Sequence, residues 1–333
     1  MRKSHLIAFF ISLILFGWVM AHVSLPTMIE QLKAIRVALP IVLALSITRL
    51  LLQSVNWSAS LKGEHLSVEM LKLIGVRLAS QSMGYLTVLG PIISEPMKIK
   101  LLGTASQPTI TATLLDDGVY WFTSALLAIS GIASLPLVAA HGAAYHSIPV
   151  ILLLASTVVI IRHHTPILSG VLQALGTRAP SWLKRAENIE ASIRTYRLNQ
   201  PALVRRMFWI DVVCQVLIAS EVVVVLRSLH LPSHFVAVLA IDGLTRAMKM
   251  ISGWIPARLG SDEGGAISAF ALAGLSPMLG LSLALTRRMR DLLWALIGII
   301  WLAWNSRSLS DRTDAVAGQP ATALEEAMEC KPL

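Results

Sequence analysis

Charged side chains make up only 14% of this chain, so where they stand is informative. The stretch GWIPARLGSDEGGAISAF, residues 253–270, sets Arg258, Asp262 and Glu263 among glycines between two apolar runs. A second stretch, TVLGPIISEPMKIKLLG, residues 87–103, has the same layout: a break at Gly90 and Pro91, an acid at Glu95, then an apolar continuation. Proline and glycine free backbone groups, which hydrocarbon tolerates only where protein or a wet cavity receives them. In such a cavity Arg77, Arg258 and Arg246 are suited to hold a lipid phosphate by charge-assisted hydrogen bonds. Glu95 and Glu263 would organise those arginines, bind a cationic headgroup or carry a coupling proton. A static ion-pair network bracing the breaks accounts for any single one of these residues equally well.

Other chemistry finds less support. Asp116 and Asp117 form an adjacent acidic pair of the kind that binds magnesium in enzymes acting on diphosphates, but no second acidic motif stands at a fitting spacing. Acids in the first turns of a helix also compensate its dipole, and the pattern favours that role here. Asp211 reads as interfacial, close to Arg206, and Glu221 as a deeper, isolated carboxylate. His163 and His164 are adjacent in a connection, and no metalloprotease, Cys-x-x-Cys or nucleophile-elbow motif occurs. Two cysteines, Cys214 and Cys330, make no framework. Neither a metal nor a cofactor is implied, and without a nucleotide-binding motif direct ATP drive is not expected.

The elements that must position these residues are membrane helices. A hydrophobic fraction of 55% and a positive mean hydropathy exclude an ordinary soluble enzyme. Apolar segments run over about 5–23, 37–57, 71–89, 110–140, 147–161, 207–229, 234–254, 265–285 and 291–306, predicting an all-α, polytopic membrane protein with about seven to nine membrane segments. The first reads as a retained helix rather than a cleaved signal. Three segments carry polar residues on one face: Ser46, Arg49, Gln53 and Asn56; Arg77, Ser80, Gln81 and Gly84; Asp242, Arg246 and Lys249. Ionisable groups at the centre of a membrane helix cost about 2.5–3.5 kcal/mol each on the lenient scale, so three aligned stripes predict a polar seam inside the bundle.

The formal charge of +9 sits in short connections, where it sets orientation, and does not form a nucleic-acid surface. The longest polar connection, 162–206, is strongly basic and therefore cytoplasmic, and its 178–206 portion is suited to an anionic lipid surface. Within it Trp182, Ala186, Ile189, Ile193 and Tyr196 share a helix face, for a helix lying on the membrane or packed on the bundle. TRRMRD, 286–291, reads as a return to the cytoplasm, as do Lys98 and Lys100. Counting crossings on that basis requires two broken or re-entrant segments, near 87–103 and within 234–285. The expected organisation is a membrane domain over 1–306, in halves of roughly 1–161 and 207–306, and a disordered polar tail over 307–333.

The pattern Pro256, Gly260, Glu263, Gly264 and Gly265, followed by Gly274 and then Arg287 to Arg290, resembles the flippase-like membrane region of lysylphosphatidylglycerol synthases. NWSASLKGEHLSVEMLKL and GPIISEPMKIKLLG resemble its N-terminal half, and the likeness spans about residues 5–306. The resemblance implies a protein whose relatives move lipids between leaflets, alone or fused to a soluble aminoacyl-transferase domain. These residues carry no such domain, so the stand-alone form without synthase activity is implied, with the hopanoid-associated members the nearest subgroup. The family's Pro-x-x-Gly-Gly-x-Gly-x-x-Glu run is altered to PARLGSDEGG, a departure that bears on the substrate.

The function expected is lipid translocation or trafficking at the cytoplasmic (inner) membrane, of a phospholipid or hopanoid. Glu95, Glu263, Asp262, Arg258, Arg77, Arg49, Asp242 and Arg246 would form the path. Two alternatives are an enzyme of lipid-linked sugar or prenyl metabolism using Asp116 and Asp117, and a scaffold for lipid-biosynthesis enzymes through the basic connection.

Overall fold

The computed structural model describes residues 36–87, 90–103, 106–139, 191, 194–196, 198–253 and 255–317. In chain order the helices are α1 (Ala38–Gly63), α2 (Met70–Leu86), α3 (Gly90–Leu102), α4 (Gln107–Ala139), α5 (Pro201–Ser228), α6 (Phe235–Ile251), α7 (Ser261–Leu272) and α8 (Pro277–Ala317), with a 3-10 turn at Pro256–Arg258. No strand occurs among the described residues. The 26 residues of α1 and 28 of α5 reach about 40 Å at 1.5 Å per residue, enough to cross a bilayer. Those helices and Gln107–Leu135 of α4 are long and apolar enough to span.

The sequence repeats this order at the level of local physics. In each half a long helix precedes a helix of 17 residues, a short one of 13 or 12, and a second long one. The first long helix of each half closes with a histidine in the left-handed region, His65 at φ 59° and His230 at φ 55°. The next residue then donates back into the last turn, Leu66 N to Leu61 O at 3.0 Å and Leu231 N to Leu226 O at 2.9 Å. Each short helix runs out into a glycine at positive φ, Gly103 at 82° and Gly274 at 72°, where a side chain would be strained. A proline opens or nearly opens the long helix that follows: Pro108 in α4 and Pro277 in α8.

The halves exchange their packing. The 17-residue helix of the first half, α2, lies on α8, and its counterpart α6 lies on α4, while α1 packs along α5. Glycine permits both exchanges: a Cβ on Gly243 would lie 2.5 Å from Gly131 Cα between α6 and α4. One on Gly298 of α8 would lie 2.4 Å from the Leu78 carbonyl of α2. Close approach through small residues is how helices gain dispersion contact where lipid already satisfies apolar groups. Each half also has its own apolar core, one around Trp57, Leu61, Leu73 and Leu101, the other around Val225, Leu226, Ile241 and Phe270.

Polarity is inverted relative to a soluble protein. Ser46, Gln53 and Asn56 of α1 are buried while Ile47 and Leu51 are exposed. Likewise α5 buries Asp211, Gln215 and Glu221 and exposes Val213 and Val216. The predicted polar seam therefore exists, and an outer surface of this kind suits lipid.

Several boundaries differ from expectation. The predicted segments 265–285 and 291–306 are divided elsewhere: the chain breaks at Gly274 and then continues without interruption through α8. TRRMRD is thus helix interior, with Arg287 and Arg290 buried. Helix α8 also carries ten residues or so of the predicted tail, to Ala317. Tyr196 is buried and donates through its hydroxyl to Ser60 O at 2.8 Å, which ties its end of the basic connection to α1. The apolar segments 5–23 and 147–161, His163, His164, Trp182, Ala186, Ile189, Ile193 and residues 318–333 lie outside the described residues.

Candidate functional site

Between the two breaks lies a cavity of about 320 Å³, walled by α1, α2, α3 and α4 from the first half and by α5, α6, α8 and the second break from the other. Its first-half wall carries Arg49, Arg77, Glu95, Lys98 and Asp117. Its second-half wall carries Arg246, Lys249, Arg258, Arg287, Arg290 and Asp291. Cations outnumber acids along this lining, so the space is positive before the residues behind it are considered.

On the first-half side the charges form a chain across helices. Arg77 of α2, 3% exposed, bonds the Asp116 carboxylate of α4, donates to Gln53 O of α1 at 3.1 Å and stands over the Trp57 ring at 5.4 Å. Lys98 of α3 donates to Glu95 Oε2 at 2.9 Å and to Asp117 Oδ1 at 2.5 Å. Asp116 and Asp117 therefore sit well inside α4, which starts at Gln107, and are held by cations of α2 and α3. That corrects the dipole-compensating reading. Asp211 is buried within the bundle.

The second half is richer in arginine. Arg246 bonds Asp242 Oδ2 at 2.6 Å one turn back, and reaches the Gln215 side chain of α5 and, at 3.2 Å, its carbonyl. Arg287 of α8 joins three elements, donating to Asp242 Oδ1 at 3.0 Å, Thr245 Oγ1 at 3.0 Å and Glu221 Oε2 at 3.3 Å. Arg290 bonds the other Glu221 oxygen and Asp291 Oδ1 at 2.7 Å. Glu221, expected to be isolated, is thus held by two arginines. Buried ion pairs roughly offset their desolvation and gain little net stability, yet removing one partner strands the other at about 3–5 kcal/mol.

The second break explains its odd composition. After α6, Ile255 N bonds Ser252 O at 2.9 Å and Arg258 N bonds Ile255 O at 3.0 Å, closing two tight turns. Ala257 and Arg258 lie at φ 50° and 47°, a region costing non-glycine residues about 1–3 kcal/mol each, and Gly260 follows at 76°. Side chains hold that backbone in place. Arg288 donates to Ala257 O at 3.4 Å and pairs with Glu263 Oε1 at 2.8 Å, while Glu263 Oε2 accepts from Gly260 N–H at 3.0 Å, capping α7. Arg258 reaches Asp262 Oδ2 at 3.1 Å and Asp291 Oδ2 at 3.3 Å, and stands over Tyr85 of α2 at 5.3 Å. Gly260 serves the turn and Gly265 the close packing of α7 against the Met248 side chain, while Gly264 has open space beside it.

Of the residues expected to form the path, Arg49, Arg77, Glu95, Arg246 and Arg258 line the cavity. Asp242, Asp262 and Glu263 stand behind it: Asp242 and Glu263 are fully buried, and all three bond arginines. Sequence reasoning did not assign Lys98, Lys249, Arg287, Arg290, Asp117 or Asp291 to the site. Lys249 was detectable as the last member of the Asp242 stripe. The α8 arginines were concealed by their density, which imitates a water-exposed turn.

A charge-lined cavity between two exchanged halves, inside a bundle with an apolar exterior, defines a multi-pass membrane protein with a polar site between its helices. Residues 5–298 match the family described as Lysylphosphatidylglycerol synthase TM region, and the chain belongs to that family. The match places it among membrane proteins of lipid metabolism or handling. No curated protein and no solved structure matched the chain.

Proposed function

We propose that the protein moves a membrane lipid, a phospholipid or a hopanoid bearing a polar group, between the leaflets of the cytoplasmic membrane without transforming it chemically. The headgroup crosses through the cavity and the acyl or polycyclic portion stays in the bilayer. The two breaks are re-entrant, and relative rocking of the halves opens the cavity to each side in turn. The observation that carries this reading is the cavity of about 320 Å³ lined by charges from both halves in an otherwise apolar bundle. Ionisable groups at such depth are expensive and mark substrate pathways.

The enzymatic alternative has weaker support, because Asp116 and Asp117 are committed to Arg77 and Lys98 rather than paired toward one open point. The test is reconstitution in liposomes with a panel of headgroup-labelled lipids, following transfer by surface quenching. Accelerated exchange of one lipid class, reduced at least about tenfold by Arg258→Ala, supports the proposal. Exchange no faster than in protein-free liposomes for every lipid, with and without a proton gradient, counts against it.

A further inference from the structure

The cations of the cavity wall are not equally occupied. Arg77, Lys98, Arg246, Arg258, Arg287 and Arg290 each have a carboxylate partner. Arg49 of α1 and Lys249 of α6 line the same space, and neither side chain forms a hydrogen bond or ion pair with any described residue. The Arg49 Nε is buried with no partner. The acids whose charge reaches them, Glu221 for Arg49 and Asp262 and Asp291 for Lys249, are already bonded to Arg287, Arg290 and Arg258. Two positive charges, one from each half, are therefore left facing a shared cavity in a region where unpaired charge is costly.

The acids on the wall have no matching excess. Glu95 and Asp117 are bonded to Lys98, and Asp291 to Arg290 and Arg258. One carboxylate oxygen, Asp117 Oδ2, is likewise buried without a partner, but its carboxylate is held by Lys98, so an ammonium would meet only acids already paired with cations, whereas an anion would find two uncommitted cations. Gln53 and Gln81 also line the space, with side-chain amides bonded to no described residue and thus available as donors.

We infer that Arg49 and Lys249 form a phosphate site, and that its ligand is an anionic phosphate group with no compensating cation. As the headgroup site of a transported lipid this rests on the translocation reading; as an anion site it does not. Guanidinium and ammonium together suit a phosphate, the first by paired N–H donors and the second as a point charge.

The test uses the full chain in detergent micelles, titrated with phosphatidic acid, phosphatidylglycerol and phosphatidylcholine and read by native mass spectrometry, with inorganic phosphate as competitor. The two anionic lipids should bind at least about tenfold tighter than phosphatidylcholine, and Arg49→Gln and Lys249→Gln should each remove about tenfold. Because neither side chain has a protein partner and each carries an uncompensated charge, both variants should keep or raise the wild-type unfolding midpoint, and Arg49→Lys should retain most of the binding. Lipid held against millimolar phosphate assigns the site to a headgroup, and lipid displaced by it assigns the site to the free anion. Phosphatidylcholine binding as tightly, or both glutamine variants binding as wild type, overturns the site. Charge-selective binding without transbilayer exchange would keep the phosphate site and remove translocation. Exchange at the wild-type rate in both variants, without charge preference in binding, would do the reverse.

Discussion

The two breaks share a layout in sequence and differ in what their acids do. In the first, Glu95 lies on α3, lines the cavity, is 25% exposed through its side chain and is held by Lys98 on its own helix. In the second, Glu263 is fully buried: it caps Gly260 N–H and pairs with Arg288, behind a backbone that holds Ala257 and Arg258 at positive φ. There the cavity-facing charge is Arg258. The first break thus presents an acid, and the second spends its acid on holding a strained turn that presents an arginine. Equivalent position in a repeat does not mean equivalent role, because the surrounding cations decide which side chain of the break faces the cavity.

Substitutions at both breaks and behind them can break that contrast. The largest effect is expected for Asp242→Leu, which strands Arg246 and removes one of the two carboxylates of Arg287: a loss of about 3–5 kcal/mol, read from the unfolding midpoint in detergent. Glu263→Gln follows at about 2–3 kcal/mol, since it weakens both the Arg288 pair and the helix cap; a midpoint equal to wild type would remove its structural role. Gly243→Ala should cost about 1–3 kcal/mol by forcing α6 from α4 at a contact of 2.5 Å, and Gly264→Ala, with open space around its Cβ, should cost far less. Smallest in stability is Glu95→Gln, about 1 kcal/mol or less, because Lys98 keeps Asp117. That variant should instead slow lipid exchange, and the opposite pairing, Glu95 structural and Glu263 kinetic, would invert the comparison.

Much of this arrangement was legible. The stripes through Gln53, Arg77 and Arg246 follow helical spacing, and a membrane allows such polarity only inside the bundle, so their burial was deducible. Gly90, Pro91, Pro256 and Gly260 marked the breaks because their backbone effects are local. What could not be read depends on distant partners. Arg287 and Arg290 look like a solvated turn until Glu221, 66 and 69 residues earlier, neutralises them. Asp116 looked like a helix-start acid because the apolar run begins near Ile110, while the helix itself begins at Gln107 and the partner Arg77 lies on another helix. The left-handed histidines that close α1 and α5 carried little signal, since histidine, though enriched in that conformation, adopts it at only a small minority of its positions.

The central claim is that a headgroup passes through the cavity between the halves, and filling that cavity tests it most directly. Gln81 of α2 lines it with a side chain bonded to no described residue, so Gln81→Trp adds bulk without stranding a partner. The measurement is the transbilayer exchange rate of a headgroup-labelled anionic lipid in proteoliposomes, wild type against Gln81→Trp at equal folded protein. The account predicts accelerated exchange in the wild type and a rate near that of protein-free liposomes in the filled variant, with the unfolding midpoint retained. Exchange at the wild-type rate through the filled cavity would contradict it.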